Sequence, residues 1–314
     1  KDGATALDGW EPSKSGKLLA YSIQDGGTDW RSIKVLDTAS GKVLGDEIKW
    51  AKFTGISWIG NSGFLYSRFP EPEAGAAFQS LNTHQAVYFH RIGTPQAADQ
   101  LVYSTPDQPE LGHSAQVTAD NRWVLITTAK GTDAKYELHV IRLGAGKQKW
   151  AARSLVKGLD NDWRLIDGMG DALYFITNKD APRLRVVRMD LRAPADAALT
   201  PLIPERAETL ERAQIVGNRL ILSYLKDAAS TAEVLSLDGK PVQEISLNAI
   251  GTASGFSGRP GDPETFYSFS SFNQPSAIFR FDSQTGKTAP FALPKLTFNP
   301  ADYLVEQRFY VSKD

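Results

Sequence analysis

Short apolar segments separated by turn residues dominate the chain. Residues 18–23, 123–127 and 173–176 are β-branched and aromatic runs bounded by glycine, asparagine, aspartate or serine. Runs of this length and composition are typical of β-strands. The best candidate for a helix, residues 207–215, is short and leads straight into another strand-like run. The pattern therefore predicts an all-β protein.

One kind of turn recurs along the chain, with a glycine followed by a lysine at Gly41-Lys42, Gly146-Lys147, Gly239-Lys240 and Gly286-Lys287. Glycine supplies the positive φ that a tight hairpin requires. Aligning the strands around these turns places the second strand of each unit near Leu18, Gly63, Trp123, Ala172, Arg219 and Glu264. Consecutive starts are therefore 45, 60, 49, 47 and 45 residues apart.

Four strands every 45 to 50 residues is the period of a β-propeller blade. The single long interval is explained by an insertion at residues 70–77, a loop of proline, glutamate and small residues. We therefore predict six four-stranded blades over residues 1–298 and one further strand at residues 304–311. The alternative is an array of two-sheet sandwiches whose spacing is coincidental.

Composition narrows the chemistry that the chain can perform. The 314 residues include no cysteine, which excludes disulfides, thiolate zinc sites, iron–sulfur clusters and cysteine nucleophiles. A net charge of −1 gives no reason to expect nucleic acid or a membrane surface as a partner. No apolar run approaches the roughly 18 residues that span a bilayer. We expect a soluble protein of the cytoplasm or periplasm.

Motifs of catalysis and of metal or phosphate binding are missing. There is no Gly-x-Ser-x-Gly, no His-x-x-x-His and no phosphate-binding loop. The four histidines, His84, His90, His113 and His139, lie in different units, and we interpret them as structural. Carboxylates are numerous but scattered, so no pair for glycoside hydrolysis is singled out. The sequence predicts no catalytic residue, metal or cofactor in this chain.

Several segments, taken together and in order, resemble the β-propeller domain of the prolyl oligopeptidase family. They include Gly27-Thr28-Asp29-Trp30, the His-Gln-x-x-Tyr segment that begins at His84, and the terminal Ser312-Lys313-Asp314. The resemblance covers essentially the whole chain. Members of this family are serine peptidases that cut short peptides after proline.

The resemblance implies a seven-bladed propeller whose first blade is missing here. It further implies that residues 299–314 link the propeller to an α/β-hydrolase domain that carries the catalytic triad. In the family, the propeller caps that domain and admits short peptides while excluding folded proteins. The implied partners are thus the hydrolase domain and short proline-containing peptides, with no cofactor.

The resemblance also implies roles for five residues. Phe53 matches a phenylalanine that reaches the substrate pocket, and Asp29 and Lys52 match positions in polar contact with the hydrolase domain. Gly112 and Thr132 stand where better-known members have a methionine and a cysteine, so we expect a smaller, less apolar pocket wall. The alternatives are ordinary packing for Phe53 and solvated charges for Asp29 and Lys52.

Two other functions remain open at this point. A stand-alone propeller could bind proteins or carbohydrates, and a propeller glycosidase would need carboxylates that face each other. The sequence beyond both ends of the chain would distinguish the first of these from a peptidase gate.

Overall fold

The computed structural model describes residues 4–24, 26–144, 148–193, 199–247 and 249–311. Strands make up nearly all of its regular structure, and the two helices in these ranges are short 3₁₀ turns, Gln96–Ala98 and Pro300–Asp302. The all-β prediction is therefore confirmed. No helix within the described ranges is long and apolar enough to cross a membrane. The chain divides into two compact units, Lys1–Asn161 and Asp162–Asp314.

Unit 1 contains three consecutive groups of four antiparallel strands. Its strands are β1 (Ala6–Pro12), β2 (Leu18–Gln24), β3 (Arg31–Asp37), β4 (Val43–Ala51), β5 (Ser57–Ile59), β6 (Gly63–Arg68), β7 (Ala86–Arg91), β8 (Gln100–Tyr103), β9 (Leu111–Val117), β10 (Trp123–Lys130), β11 (Tyr136–Arg142) and β12 (Arg153–Val156). The first two groups are joined into one sheet by a single pairing, between Ala51 and Arg68.

Unit 2 repeats the same arrangement in three separate four-stranded sheets. Its strands are β13 (Trp163–Met169), β14 (Ala172–Thr177), β15 (Arg185–Asp190), β16 (Leu199–Ile203), β17 (Thr209–Val216), β18 (Arg219–Lys226), β19 (Ala229–Ser236), β20 (Pro241–Ile245), β21 (Thr252–Ser257), β22 (Glu264–Ser271), β23 (Gln274–Asp282) and β24 (Thr288–Ala292). Within each of these sheets, every strand pairs with its neighbour in sequence, as in a meander.

The predicted repeat agrees with the observed strands. The six expected starts, Leu18, Gly63, Trp123, Ala172, Arg219 and Glu264, are the first residues of β2, β6, β10, β14, β18 and β22. Three of the four turn glycines, Gly41, Gly239 and Gly286, have positive φ as expected. The fourth turn falls at residues 145–147, outside the described residues. The predicted insertion at residues 70–77 lies in the connection between β6 and β7.

The strand predicted at residues 304–311 is wrong. Within the described residues, this segment makes no sheet pairing and follows the short helix Pro300–Asp302. Leu304 and Val311 are 82% and 95% exposed. Alternating apolar residues suit a strand, but a strand also needs a neighbouring backbone to satisfy its N–H and C=O groups. The sequence pattern carries no information about whether such a neighbour is present.

The second strands of the four middle groups, β6, β10, β14 and β18, are largely apolar and buried on both faces. Every residue of β14 is buried, and so are the first five residues of β6. Such a strand is stable only if layers of side chains cover the sheet on both sides. In unit 2, Tyr174 and Ile176 of β14 accordingly share one cluster with Leu220 and Leu222 of β18. The sheets therefore pack face to face within each unit.

A buried charged cluster fastens β4 to the second group of strands. His90 of β7 is fully buried, with Nε2 3.0 Å from Asp46 Oδ1 and Nδ1 2.7 Å from Asp99 Oδ1. The Tyr66 hydroxyl donates to the other oxygen of Asp99 at 2.7 Å. A carboxylate oxygen at each ring nitrogen suits a His90 ring that is protonated on both nitrogens and carries a positive charge. Burial by itself lowers the pKa of His90, but the hydrogen bonds and charges of Asp99 and Asp46 outweigh it and raise the pKa above its usual value.

Replacing His90 by glutamine should destabilise unit 1, because Asp46 and Asp99 would both lose their cationic partner. We expect H90Q to lower the free energy of unfolding by about 3 kcal/mol near pH 6, the usual scale for breaking a buried ion pair. Urea denaturation measures this change. The matched control is His84→Asn, because His84 is exposed and asparagine tolerates its positive φ.

The effect of H90Q should also depend on pH in a defined direction. The folded pKa of His90 lies above its unfolded value, so its stabilising contribution is complete below about pH 6.5 and is lost as pH rises through the folded pKa. The difference between wild type and H90Q should therefore be largest at pH 5 to 6.5 and shrink in alkaline buffer. A difference that grows with pH would contradict the charged assignment.

Candidate functional site

Unit 1 contains a cavity of about 490 Å³ at the end of its sheets where β4, β6 and β10 finish and β9 and β11 begin. We call it the Phe53 cavity. Its walls include Phe53, Phe69, Gln85, Gly112, His113, Thr132 and Tyr136. The structure therefore brings together the three residues predicted to bind substrate, Phe53, Gly112 and Thr132. They come from three separate connections and strand ends, up to 79 positions apart in the chain.

Phe53 lies on the connection between β4 and β5 rather than inside a strand. It has a φ of 52°, and Trp50 three residues earlier has a φ of 61°. Both values lie in the left-handed region, which is strained for bulky residues and persists only where the surroundings hold it. The Phe53 ring is 54% exposed and packs edge-to-face on Phe69, with ring centroids 6.5 Å apart. This exposure argues against a role as an ordinary core residue.

The amide of Gln85 holds the Phe53 connection against β9. Gln85 is buried, and its Nε2 donates to the carbonyl oxygens of Lys52 and Phe53 at 3.0 and 3.3 Å. Its Oε1 accepts from the backbone N–H of His113 at 2.7 Å. A Cβ on Gly112 would lie 3.1 Å from this same oxygen, closer than most such contacts. Glycine at position 112 thus leaves room for the Gln85 amide.

His113 forms a neutral part of the cavity wall. It is buried, and its Nε2 and Nδ1 each lie 3.0 Å from a threonine hydroxyl, those of Thr105 and Thr128. Burial, aided by the charge of nearby His139, lowers the pKa of His113 to about 4. The ring is therefore uncharged at neutral pH, with both nitrogens engaged. This supports the interpretation of His113 as structural.

Asp29 and Lys52 pair with each other beside the cavity. Lys52 Nζ lies 3.6 Å from Asp29 Oδ2 and about 5 Å from the ring centroids of Trp30 and Phe53 (5.0 and 5.2 Å). Lys52 is 9% exposed, so it is not a freely solvated charge, whereas the Asp29 side chain is 60% exposed. Cation–π contacts with two rings add to the ion pair in holding Lys52. The contact of Asp29 and Lys52 with a second domain stays a prediction.

The Phe53 cavity is suited to binding rather than to covalent chemistry. Among the described residues, none of the serine hydroxyls is hydrogen-bonded to a histidine ring nitrogen, and none of the carboxylate and histidine clusters could hold a metal ion. The walls combine aromatic rings with an amide and hydroxyls, the usual mixture of a small-ligand pocket. Exposed Thr132 stands at the rim, in the turn between β10 and β11. A ligand with an apolar ring and one or two polar groups beside it would match this lining.

Gln85 is the residue of the site that sequence reasoning missed. It belongs to the His-Gln-x-x-Tyr segment, which indicated the family resemblance but gave Gln85 no role of its own. Its role depends on three backbone groups, of which Lys52 is 33 residues away in the chain. The only available signal was an uncharged polar residue directly before the apolar run of β7.

These observations define an all-β domain of repeated four-stranded sheets with a ligand cavity at the sheet ends of its first unit. Residues 1–294 match the sequence profile described as the prolyl oligopeptidase N-terminal β-propeller domain. The chain belongs to this family.

Relatives with known names agree with that assignment. A prolyl endopeptidase of Elizabethkingia miricola is 35% identical over 312 residues, which are 99% of this chain and 44% of the relative. The prolyl oligopeptidase ophP of Omphalotus olearius is 32% identical and is also matched over 44% of its length. The chain therefore spans less than half the length of these relatives.

Solved structures give the same result. A structure from a study of two prolyl endopeptidases and their interdomain dynamics is 48% identical, with a TM-score of 0.90 over 98% of this chain and 44% of that one. Prolyl oligopeptidase B of Galerina marginata, bound to a 25-residue macrocyclisation substrate, is 25% identical with a TM-score of 0.87 over 96% of this chain and 44% of that one. The predicted family and its propeller fold are confirmed.

Replacing Gln85 by leucine should loosen the Phe53 connection. The substitution keeps a side chain of similar size. It leaves the carbonyls of Lys52 and Phe53 and the N–H of His113 without their partner, which costs about 2–3 kcal/mol. We expect a lower free energy of unfolding and faster hydrogen exchange at the His113 amide. Gln79→Leu is the matched control, since Gln79 is exposed and its side chain makes no hydrogen bond within the described ranges. Unchanged exchange at His113 would contradict the role assigned to Gln85.

Proposed function

We propose that this chain is the substrate-gating propeller of a prolyl oligopeptidase, a serine peptidase that cleaves short peptides after proline. The catalytic triad would be supplied by an α/β-hydrolase domain that the propeller covers. The observation that carries the proposal is the convergence of Phe53, Gly112 and Thr132 on one cavity. Family membership made these residues candidates before their positions were known.

The chemistry of the Phe53 cavity fits a proline-containing peptide. Phe53 and Phe69 present apolar ring faces, on which a pyrrolidine ring or a neighbouring apolar side chain packs without losing hydrogen bonds. The exposed Thr132 hydroxyl at the rim can exchange hydrogen bonds with a peptide backbone. Gly112 stands where better-known members of the family have a methionine, and the Gln85 amide takes up the space beside it, so this part of the wall is polar.

The Asp29–Lys52 pair supports a contact with the catalytic domain. Lys52 is held between Trp30 and Phe53, and the exposed Asp29 carboxylate offers a partner for a cation on a facing surface. A contact of this kind, made and broken as the two domains close and separate, would control access to the cavity. Surface ion pairs contribute about 0–1 kcal/mol, which suits a reversible contact.

Replacing Phe53 by alanine should weaken the binding of a proline-containing peptide. Removal of a ring that covers the ligand costs about 1–3 kcal/mol, equivalent to roughly 5- to 150-fold in the dissociation constant. Calorimetric titration of this chain with an N-acetylated Gly-Pro peptide measures the change. In the enzyme that contains this propeller, the Michaelis constant for short substrates should rise in parallel.

The control for this experiment is Phe272→Ala, because Phe272 is fully exposed and does not line the cavity. Equal affinity of wild type, F53A and F272A for the peptide would contradict the proposal and favour a packing role for Phe53. The chain itself should not hydrolyse a chromogenic proline peptide, and turnover above the blank would also contradict the gating role.

A further inference from the structure

Unit 2 contains a second cavity, of about 460 Å³, at the end of the β17–β20 sheet where β18 and β20 finish and β17 and β19 begin. We call it the Tyr224 cavity. The residues that matter for its chemistry are Arg206, Glu208, Tyr224, Lys226, Glu233 and Glu244. None of them takes part in the Phe53 cavity, and the family resemblance gave none of them a role.

Tyr224 contributes a buried hydroxyl that has no hydrogen-bond partner among the described residues. The residue is 5% exposed and lines the cavity, and its ring lies under the guanidinium of Arg206, 4.9 Å from the ring centroid. Burial raises the pKa of Tyr224 to about 12, so the hydroxyl is neutral and both accepts and donates hydrogen bonds. Buried polar groups are almost always satisfied, and an orphan such as this one indicates a missing partner.

The charged residues around this hydroxyl are not balanced. Arg206 Nη1 lies 2.7 Å from Glu233 Oε1, and Lys226 Nζ lies 3.8 Å from Glu208 Oε1. The carboxylate of Glu244 has no partner in the part of the chain that the structure describes. Two cations therefore face three carboxylates, and one negative charge is left over.

The surplus charge lies next to another carboxylate. Glu244 of β20 is directly opposite Glu233 of β19 in the strand register, where Cβ atoms are about 4.5–5.5 Å apart. Like charges in this position repel each other. Glu233 itself is held by Arg206, whose Nη1 is in contact with its Oε1.

The groups left unsatisfied share one property. The Glu244 carboxylate only accepts hydrogen bonds, and the Tyr224 oxygen can accept one as well. A ligand that satisfies both groups must donate several hydrogen bonds and carry positive charge. A carboxylate ligand would add a second uncompensated negative charge. A metal ion is disfavoured, since no metal-binding cluster occurs among the described residues.

We infer that the Tyr224 cavity binds an ammonium group carried by a peptide. A primary ammonium offsets the charge of the Glu244 carboxylate, and its three donors can serve that carboxylate and the Tyr224 oxygen together. The choice of a peptide as the carrier rests on the proposed function, whereas the choice of ammonium rests on the cavity alone. The group is supplied by the amino terminus of the peptide or by a lysine side chain.

Three peptides separate the sources of the ammonium group: Gly-Gly-Pro-Gly amide with a free amino terminus, its N-acetylated form, and N-acetyl-Lys-Gly-Pro-Gly amide. Titration calorimetry of the full chain at pH 6.5 keeps both kinds of amine protonated. We expect at least one ammonium peptide to bind about tenfold more tightly than the acetylated peptide without lysine. Equal affinity of all three peptides would overturn the inference.

Two variants connect this preference to the cavity. Tyr224→Phe removes only the hydroxyl and Glu244→Gln only the charge, and each should reduce the ammonium preference about three- to tenfold with little change in melting temperature. The matched controls are Tyr310→Phe and Glu211→Gln, at exposed positions outside the cavity. A preference that survives both Y224F and E244Q would place the ammonium site elsewhere and refute the inference.

The Phe53→Ala variant separates this inference from the proposed function. It should weaken binding at the Phe53 cavity by a similar factor for all three peptides, because all contain proline, and leave the ammonium preference of the Tyr224 cavity intact. If F53A has no effect while Y224F removes the preference, the proposed function fails and the ammonium site stands. If F53A weakens binding and the ammonium peptides bind no more tightly than the acetylated one, the proposed function stands and the ammonium site is refuted.

Discussion

The architecture depends on the need to bury both faces of the inner strands. A strand such as β14, buried at every residue, needs a layer of side chains on each side of its sheet. Within each unit, neighbouring four-stranded sheets provide these layers for one another, as in the shared cluster of β14 and β18. Burial of the sheet faces leaves the strand ends and their connections free to vary. Both cavities are built from these ends.

The Phe53 cavity shows how a rigid framework holds a strained connection. Trp50 and Phe53 have left-handed backbones that no local sequence preference would stabilise. On one side the Gln85 amide ties Phe53 to the start of β9, and on the other the His90 cluster ties β4 to β7. The exposed ring of Phe53 is thereby held over the cavity. Interactions in the interior thus determine the position of a side chain that faces solvent.

The two cavities differ in how their polar groups are satisfied. In the Phe53 cavity, His113 is neutral and both of its nitrogens have partners. This part of the wall therefore requires no charge on a ligand. In the Tyr224 cavity, the Tyr224 hydroxyl and the Glu244 carboxylate have no partner within the described ranges, and one negative charge is uncompensated there. The first arrangement favours shape and apolar contact, and the second favours charge.

Local pattern was sufficient for the strands and turns. The starts of β2, β6, β10, β14, β18 and β22 and the turns at Gly41, Gly239 and Gly286 follow from apolar runs and from the positive φ that glycine allows. The resemblance to the family also selected Phe53, Gly112 and Thr132 before any geometry was known. Pattern failed at residues 304–311, because strand formation there would need a neighbouring backbone.

The contacts that hold each site were decided only by the tertiary structure. Gln85 acts on backbone groups of Lys52, Phe53 and His113, and His90 lies between two carboxylates from different strands. The unpartnered hydroxyl of Tyr224 depends in the same way on what surrounds it. A sequence specifies each side chain's capacity for charge and hydrogen bonding. Which groups meet, and which remain unsatisfied, depends on how residues distant in the chain pack together.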